Sequence, residues 1–259
     1  MKKVRIIAKL EVKGEHVVKG IRMEGLRKVG TPDELARKYF HAGIDEIFFV
    51  DIVASLYGRN NLSTLVSMTA EDIFIPLTVG GGIRSIEDFR DLLRAGADKI
   101  SINTQAMKTP QIITEAARIF GSQCVIVSIQ AKRQKDGTWE AYTENGRERT
   151  GLDAVRWAEK AASLGAGEIF LTSVDRDGTR YGLDHELIEK VTSCVSIPVI
   201  VSGGTNSVAD MAQAVLRENA NAIAIGNLLH FHHETVVSLK EKLQNQGVIV
   251  RRQQEHVHS

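Results

Sequence analysis

A strand, a glycine turn, a helix and a second strand occur twice in this chain, and the repetition limits the fold more than any other feature. The first copy, IPLTVGGGIRSIEDFRDLLRAGADKISINT, runs from Ile75 to Thr104. It reads as a strand over Ile75–Val79, a turn at Gly80–Gly82, a helix over Ile86–Ala95 and a strand over Lys99–Asn103. The second copy, IPVIVSGGTNSVADMAQAVLRENANAIAIGN, runs from Ile197 to Asn227. Pro76 matches Pro198, Gly81 matches Gly203, and Asn103 falls beside Gly226 after a one-residue insertion. Glycines at the C-terminal end of a strand remove Cβ atoms from the turn, so backbone N–H groups can close on an anion before the next helix.

The rest of the chain alternates in the same way. Val4–Val12 is the first expected strand, and the basic, glycine-punctuated Lys13–Gly30 reads as a mobile loop after it. Thr31 is placed as an N-cap, with Pro32 at the first helical position and Glu34 closing a capping box. A strand follows at Glu46–Asp51 and a helix at Asn61–Ala70. Beyond the first repeat come a helix at Thr109–Phe120 and a strand at Gln123–Gln130. Asp136-Gly137 and Asn145-Gly146 are type I′ turn dipeptides around the alternating WEAYT, which predicts an inserted β-hairpin. Helix Leu152–Leu164, strand Glu168–Ser173, a helix around Asp184–Ser193 and a last helix at Glu234–Gln246 complete the pattern.

Eight strands alternating with helices through short loops predict a parallel sheet. The duplication favours its closure into a (β/α)8 barrel of two half-barrels. A length of 259 residues suits one such domain, over residues 1–250, with 251–259 as a disordered tail. Net charge is +1, from 33 basic and 32 acidic residues, so no overall field points to nucleic acid or a membrane surface. No apolar run approaches ~20 residues. Cys124 and Cys194 sit in apolar contexts and read as reduced core thiols. The expected class is a cytoplasmic α/β protein with neither cofactor nor metal.

In a barrel of this kind, functional residues are expected at the C-terminal ends of the strands. Two groups there suit a phosphate: Gly81, Gly82, Asn103 and Thr104, and then Gly178, Gly203, Gly204, Gly226 and Asn227. Tight turns alone account for such glycines at one site. Two homologous turns, each with a small polar residue ending the next strand, favour a ligand with a phosphate at each end. At the other end, the phrases GIDEIF, GADKIS and GAGEIF place Glu46, Lys99 and Glu168 at one equivalent position, and Arg5 starts the first strand. Four charges of alternating sign can plug the N-terminal mouth or form an ordinary salt-bridge cluster.

The phrases RIIAKLEVKGEHVVKG, DEIFFVDIVAS, TVGGGIRSIEDF, GADKISINT, GEIFLTSVDRDGT and VSGG resemble the cyclase subunit of imidazole glycerol phosphate synthase over essentially the whole chain. The resemblance implies a barrel that takes ammonia from a glutaminase docked on its N-terminal face and closes an imidazole ring on a bis-phosphorylated ribonucleotide. It implies that Arg5, Glu46, Lys99 and Glu168 are the gate for ammonia, with Asp98 beside them at the partner surface. It also assigns Asp51, Thr78, Ser101, Thr172 and Asp177 to the substrate mouth, and Lys19 to closing over substrate.

The chemistry departs from that family. Its two aspartates, general acid and base, fall here at Glu11 and Gln130. A glutamine has no ionisable proton near neutral pH. Lys9 replaces a small uncharged residue, and it shares a strand face with Arg5, Ile7 and Glu11. It either points into the lumen with Glu11 as its nearest partner or snorkels outward among the helices. The resulting expectation is an ammonia-conducting subunit of a glutamine-dependent amidotransferase. Divergent copies of this kind are associated with surface-polysaccharide sugar amidation and with a third, amide- or amidine-forming protein. A working cyclase in histidine biosynthesis and a non-catalytic binder of phosphorylated metabolites are the alternatives.

Overall fold

A computed structural model describes residues 3–54 and 62–251. Twelve strands form one sheet among these residues, and eight of them close a parallel barrel. The barrel strands are β1 (Arg5–Lys13), β4 (Glu46–Asp51), β5 (Leu77–Gly80), β6 (Lys99–Ile102), β7 (Val125–Arg133), β10 (Glu168–Ser173), β11 (Val199–Ser202) and β12 (Ala222–Ile225). Each pairs in parallel with the next, β7 passing directly to β10, and β12 returns to β1 through Arg5–Ala8. Helices run between the strands on the outside.

The two repeat copies fold alike down to their helix caps. Ser85 and Ser207 sit at nearly identical backbone angles (φ −141°, ψ 165° and φ −140°, ψ 163°). Each serine Oγ accepts the N–H three residues on, from Asp88 and Asp210, at 3.2 Å. The Asp88 carboxylate answers by accepting the Ser85 N–H, completing a capping box. These caps fix where each helix leaves its glycine turn.

Apolar side chains divide between two cores. Along β1, Ile6, Ala8, Leu10 and Val12 pack outward against the helices, while Ile7 joins Phe48, Ile126, Phe170 and Ile200 inside the barrel. Phe48 and Phe170 meet edge to face, with centroids 4.5 Å apart. This alternation is the period of a strand buried on both faces.

Several expectations are corrected. Lys13–Gly30 is a β-hairpin, β2 (His16–Ile21) with β3 (Glu24–Gly30), and β2 pairs antiparallel with the end of β1. Thr31 stands at the N-cap with Pro32 following it, yet makes no side-chain capping bond. The helix expected over Thr109–Phe120 is found at Gln111–Phe120, and a separate short helix, Thr104–Lys108, precedes it. Pro110 sits between them, and the residue before it, Thr109, lies outside the helical region that a following proline disfavours (φ −139°, ψ 79°). The insertion contains β8 (Trp139–Thr143) and β9 (Glu148–Asp153), with β8 paired to the tip of β7. Asn145 and Gly146 both take positive φ, but in Asp136-Gly137 only the glycine does. Asp136 instead accepts the Thr138 N–H at 3.0 Å, which makes an Asx turn. Cys124 and Cys194 are free but only half-buried. Asn61 and most of the expected tail lie outside the described residues. No helix among those described is long and apolar enough to cross a membrane.

Candidate functional site

The N-terminal mouth is built from strand starts. Arg5 opens β1, Glu46 β4, Lys99 β6 and Glu168 β10. Arg5 Nη1 lies 2.9 Å from Glu46 Oε2, and Arg5 Nη2 lies 2.6 Å from Glu168 Oε2. Lys99 Nζ is 3.0 Å from Glu46 Oε2 and 3.0 Å from Glu168 Oε1. Each cation touches both anions, so the four charges close a ring. Burial raises the Glu168 pKa, but Arg5 and Lys99 outweigh it and hold the carboxyl below its ordinary value. Thr78 Oγ1 donates to Glu46 Oε1 at 2.6 Å, and so belongs to this ring and not to the opposite mouth where sequence reasoning put it. Asp98 is exposed beside the ring and accepts the Leu77 N–H at 2.8 Å, tying down the start of β5.

At the C-terminal mouth the strand alternation brings Lys9 and Glu11 inward. Lys9 Nζ is 2.9 Å from Glu11 Oε1 and lies over the Phe170 ring at 5.7 Å from its centroid. Lys19, carried by β2, contacts both Glu11 oxygens at 3.0 and 3.1 Å and Asp177 Oδ2 at 2.8 Å. All four groups are at least nine-tenths buried. Burial would raise the Glu11 pKa, but Lys19 and Lys9 outweigh it and pull the carboxyl down to about 2. The matching effect raises Lys19, where burial opposes Asp177 and Glu11 and loses. The mouth thus holds a buried chain of four charges, and Glu11 is an anion throughout the physiological range.

Gln130 points its Oε1 at the Gly146 N–H, 2.7 Å away, and so pins the inserted hairpin to β7. Asp51 takes N–H bonds from Val53 and Ala54 at 2.9 Å, yet burial prevails and raises its pKa. Its carboxyl is thereby pushed toward protonation.

Two cavities flank the charge chain. The larger, about 120 Å³, is lined by Asp51, Gly81, Gly82, Ser101, Asn103, Thr104, Gln130 and Thr172. The smaller, about 20 Å³, is lined by Lys19, Asp177, Gly178, Gly203, Gly204, Gly226 and Asn227. Each glycine group read from sequence is therefore gathered into a cavity of its own. The two asparagines act alike: Asn103 donates to Tyr142 O at 3.2 Å and Asn227 to Gly178 O at 3.3 Å, holding loops against the rim. The glycines differ in what demands them. Gly81 has φ +103°, and a Cβ there would lie 2.2 Å from Asp51 O, so the backbone alone requires glycine. Gly226 has φ −118°, and its added Cβ would meet nothing closer than 3.5 Å. The fold does not require glycine at Gly226, which leaves the bare cavity wall as its consequence.

Sequence reasoning missed His230. It is buried beneath the mouth, its Nε2 3.0 Å from Lys9 O and its Nδ1 2.7 Å from the Tyr39 hydroxyl. Nothing in LLHFHH separates this histidine from its neighbours. Arg84 and Lys108 on the larger cavity, and Arg180 and Thr205 on the smaller, were also missed. Arg84, Arg180 and Thr205 sit in loops, where no periodicity marks a direction, and Lys108 ends the five-residue helix Thr104–Lys108, too short to show one.

Compared with known proteins, residues 5–235 match the family model described as histidine biosynthesis protein. Subunit HisF of imidazole glycerol phosphate synthase from Legionella pneumophila is 58% identical over 204 residues, covering 79% of this chain and 96% of that protein. The protein of the same description from Alkaliphilus metalliredigens (strain QYMF) is 48% identical over 248 residues, covering 96% and 98%.

Proposed function

The chain belongs to the HisF family of imidazole glycerol phosphate synthase subunits, and from that premise we propose that it passes ammonia from a glutaminase subunit to an anionic acceptor. Ammonia enters through the charged ring, crosses the apolar lumen and meets the acceptor at the C-terminal mouth. The observation that carries this reading is the closed ring of Arg5, Glu46, Lys99 and Glu168 beneath an apolar interior. The glutaminase docks on the same face. Phe74, Ile119, Leu216 and Ile249 expose 82, 42, 50 and 37% of their surface on segments near the strand starts. Apolar side chains spread round a polar centre suit a protein partner.

Ring closure by an aspartate pair is not available to these residues. Glu11 is held as an anion by two lysines, and a base with a pKa of about 2 takes up almost no proton at neutral pH. Gln130 cannot shuttle one. The acceptor is therefore a molecule other than the histidine precursor. Sugar amidation for surface polysaccharide, with a third amide- or amidine-forming protein at the mouth, fits that chemistry. Gly81 and Gly82 with Asn103 and Thr104, and Gly178, Gly203, Gly204 and Gly226 with Asn227, are the anion sites of this proposal.

A genuine cyclase is the second reading. The names of both relatives favour it, and Asp51, whose raised pKa suits a proton donor, lines the same cavity as Glu11. Turnover separates the two. Supplied with ammonium salt and the bis-phosphorylated histidine precursor, the chain should show negligible cyclisation. A rate within about 10-fold of an ordinary enzyme, near 10 per second, would establish the cyclase instead. Loss of that rate in Asp51→Asn would then identify the replacement acid.

A further inference from the structure

The strand starts at the N-terminal mouth share a fastening that lies outside the charged ring. Before β4, the Asp45 N–H donates to Ile6 O at 3.0 Å, and Asp45 Oδ2 accepts the Ile6 N–H at 2.7 Å. Asp98 grips Leu77 in the same way before β6, at 2.9 and 2.8 Å, and Asn221 grips Val199 before β12, at 2.9 and 2.8 Å. The fourth position, Gly167 before β10, keeps only the backbone half, its N–H donating to Val125 O at 2.9 Å. Each complete fork locks two neighbouring strands together at their first residues. The residue that follows Asp45, Asp98 and Gly167 is in each case a ring member: Glu46, Lys99 and Glu168.

The forks differ in what balances their side chains. Asn221 is neutral, and Asp98 is exposed to water. Asp45 is 5% exposed, and a carboxylate so deep needs a cation. That cation comes from the last helix, Val236–Asn245. Lys240 Nζ, itself buried, lies 2.6 Å from Asp45 Oδ1 and 2.7 Å from Gly43 O. The chain leaving this helix returns to β1, where the Val4 N–H donates to Ile249 O at 2.8 Å. Both neighbours of Arg5 are thus held, Val4 through Ile249 and Ile6 through Asp45 and Lys240.

We infer that Lys240 is a positioning residue for the charged ring: by holding the Asp45 carboxylate on Ile6, it fixes where Arg5 and Glu46 stand. Glu46 follows Asp45 directly, and its side chain bonds Arg5 at 2.9 Å and Lys99 at 3.0 Å. Without Lys240, Asp45 is a buried anion left with backbone donors alone. It turns toward water, and the fork on Ile6 slackens. The ring then loosens on its Arg5–Glu46 side, and Lys99 loses one fixed partner. The bearing of this on ammonia rests on the reading of the ring proposed above; its test does not.

Timed acetylation of lysines by acetic anhydride, read site by site by mass spectrometry on the isolated chain, measures how tightly Lys99 is held. In Lys240→Met, Lys99 should react about 10-fold faster than in the wild type, while Lys160, exposed on the helix Ala154–Ser163, keeps its rate. Asp45→Asn combined with Lys240→Met should bring Lys99 back to within about 3-fold of the wild type. Asn221 shows why: an amide oxygen completes the fork with no charge left to balance. Should Lys240→Met fail to fold, Lys240→Arg replaces it. A planar guanidinium does not fit the place of an ammonium shared by Gly43 O and Asp45, so the same acceleration is expected. A Lys99 rate within about 2-fold of the wild type in the folded single variant would overturn the inference. So would an equal acceleration at Lys160, which would reduce Lys240 to general support of the barrel, or a double variant as fast as the single one. The ammonia reading stands or falls separately, by the ratio of glutamine-dependent to ammonium-dependent rates.

Discussion

Glu11 shows how far one methylene and one neighbour can take a catalytic position. With Lys9 below and Lys19 above, its carboxylate bonds are filled before any substrate arrives. Its depressed pKa makes it stabilising above the ordinary carboxyl value of 4.5, and that stability is lost as pH falls toward about 2. Glu11→Gln should cost about 3 kcal/mol at neutral pH, because two buried lysines lose their shared partner. The deficit should persist down to about pH 4.5 and narrow below it, as read from denaturant midpoints across pH. A deficit that is constant into strong acid would mean that the carboxylate charge contributes nothing. His230 supports the same strand differently. Lys9 O only accepts, so Nε2 carries the hydrogen and Nδ1 accepts from the Tyr39 hydroxyl. Burial first, then the charge of Lys19, lowers its pKa to about 4, with Glu11 offsetting part of the effect. The folded protein therefore loses stability as pH drops below 6.5. Its ring resonances should stay those of a neutral imidazole from about pH 8 to about pH 5, and a titration midpoint near 6.5 would show the site to be wet. The alternation RIIAKLE left Lys9 a choice between lumen and helices, and inside the barrel Glu11 was its nearest partner by sequence. His230 was illegible because its partners come from β1 and a helix far off in the chain.

The hairpin of β2 and β3 is the element that sequence served worst. Its glycines and charges break the alternation that marks strands. Its turn uses Arg22 and Met23 at positive φ, where no Asn-Gly or Asp-Gly signals it. Tertiary seating supplies what local propensity does not. Lys19 reaches Glu11 and Asp177, the Arg22 N–H donates to Asp177 O at 2.7 Å, and Met23 is buried. Gly178 permits the contact: its φ is +72°, and a Cβ would stand 2.2 Å from Gly20 O. Gly178→Ala should lift the hairpin and leave the barrel intact. Trypsin should then cut at Arg22, Arg27 and Lys28 roughly 10-fold faster, while far-ultraviolet dichroism stays the same. Unchanged cutting would mean that the hairpin is held by its own pairing and by Lys19. The repeated glycine turns and the Ser85 and Ser207 caps were legible by contrast, because their signals are local and occur twice.

At the scale of the whole molecule, one barrel joins two mouths through an apolar interior, and the two ends differ in how their charges can move. The mouth chain is sealed, its four members being at least nine-tenths buried. The ring is partly open to solvent: the side chains of Arg5, Lys99 and Glu168 expose 29, 14 and 12%, and Glu46 only 1%. Glu46 is also fixed by Thr78, so a path for neutral ammonia must come from a cation swinging aside. Lys99 is the candidate, since an ammonium on a flexible stem moves more freely than a guanidinium bonded through two nitrogens to two carboxylates. Lys99→Leu leaves Glu46 and Glu168 with Arg5 as their shared cation, which should draw the ring tight and misplace the opening. With the glutaminase bound, glutamine-dependent product formation should fall about 10-fold. Activity with added ammonium salt should fall less, because ammonia can then enter from the C-terminal mouth. The measured quantity is the ratio of the two rates, in wild type and variant, at equal glutaminase occupancy. A loss of glutaminase binding would be corrected by titrating the partner to saturation before the ratio is taken. An unchanged ratio would reduce the four charges to a structural cluster at a barrel's base, and the ammonia reading would fall with it.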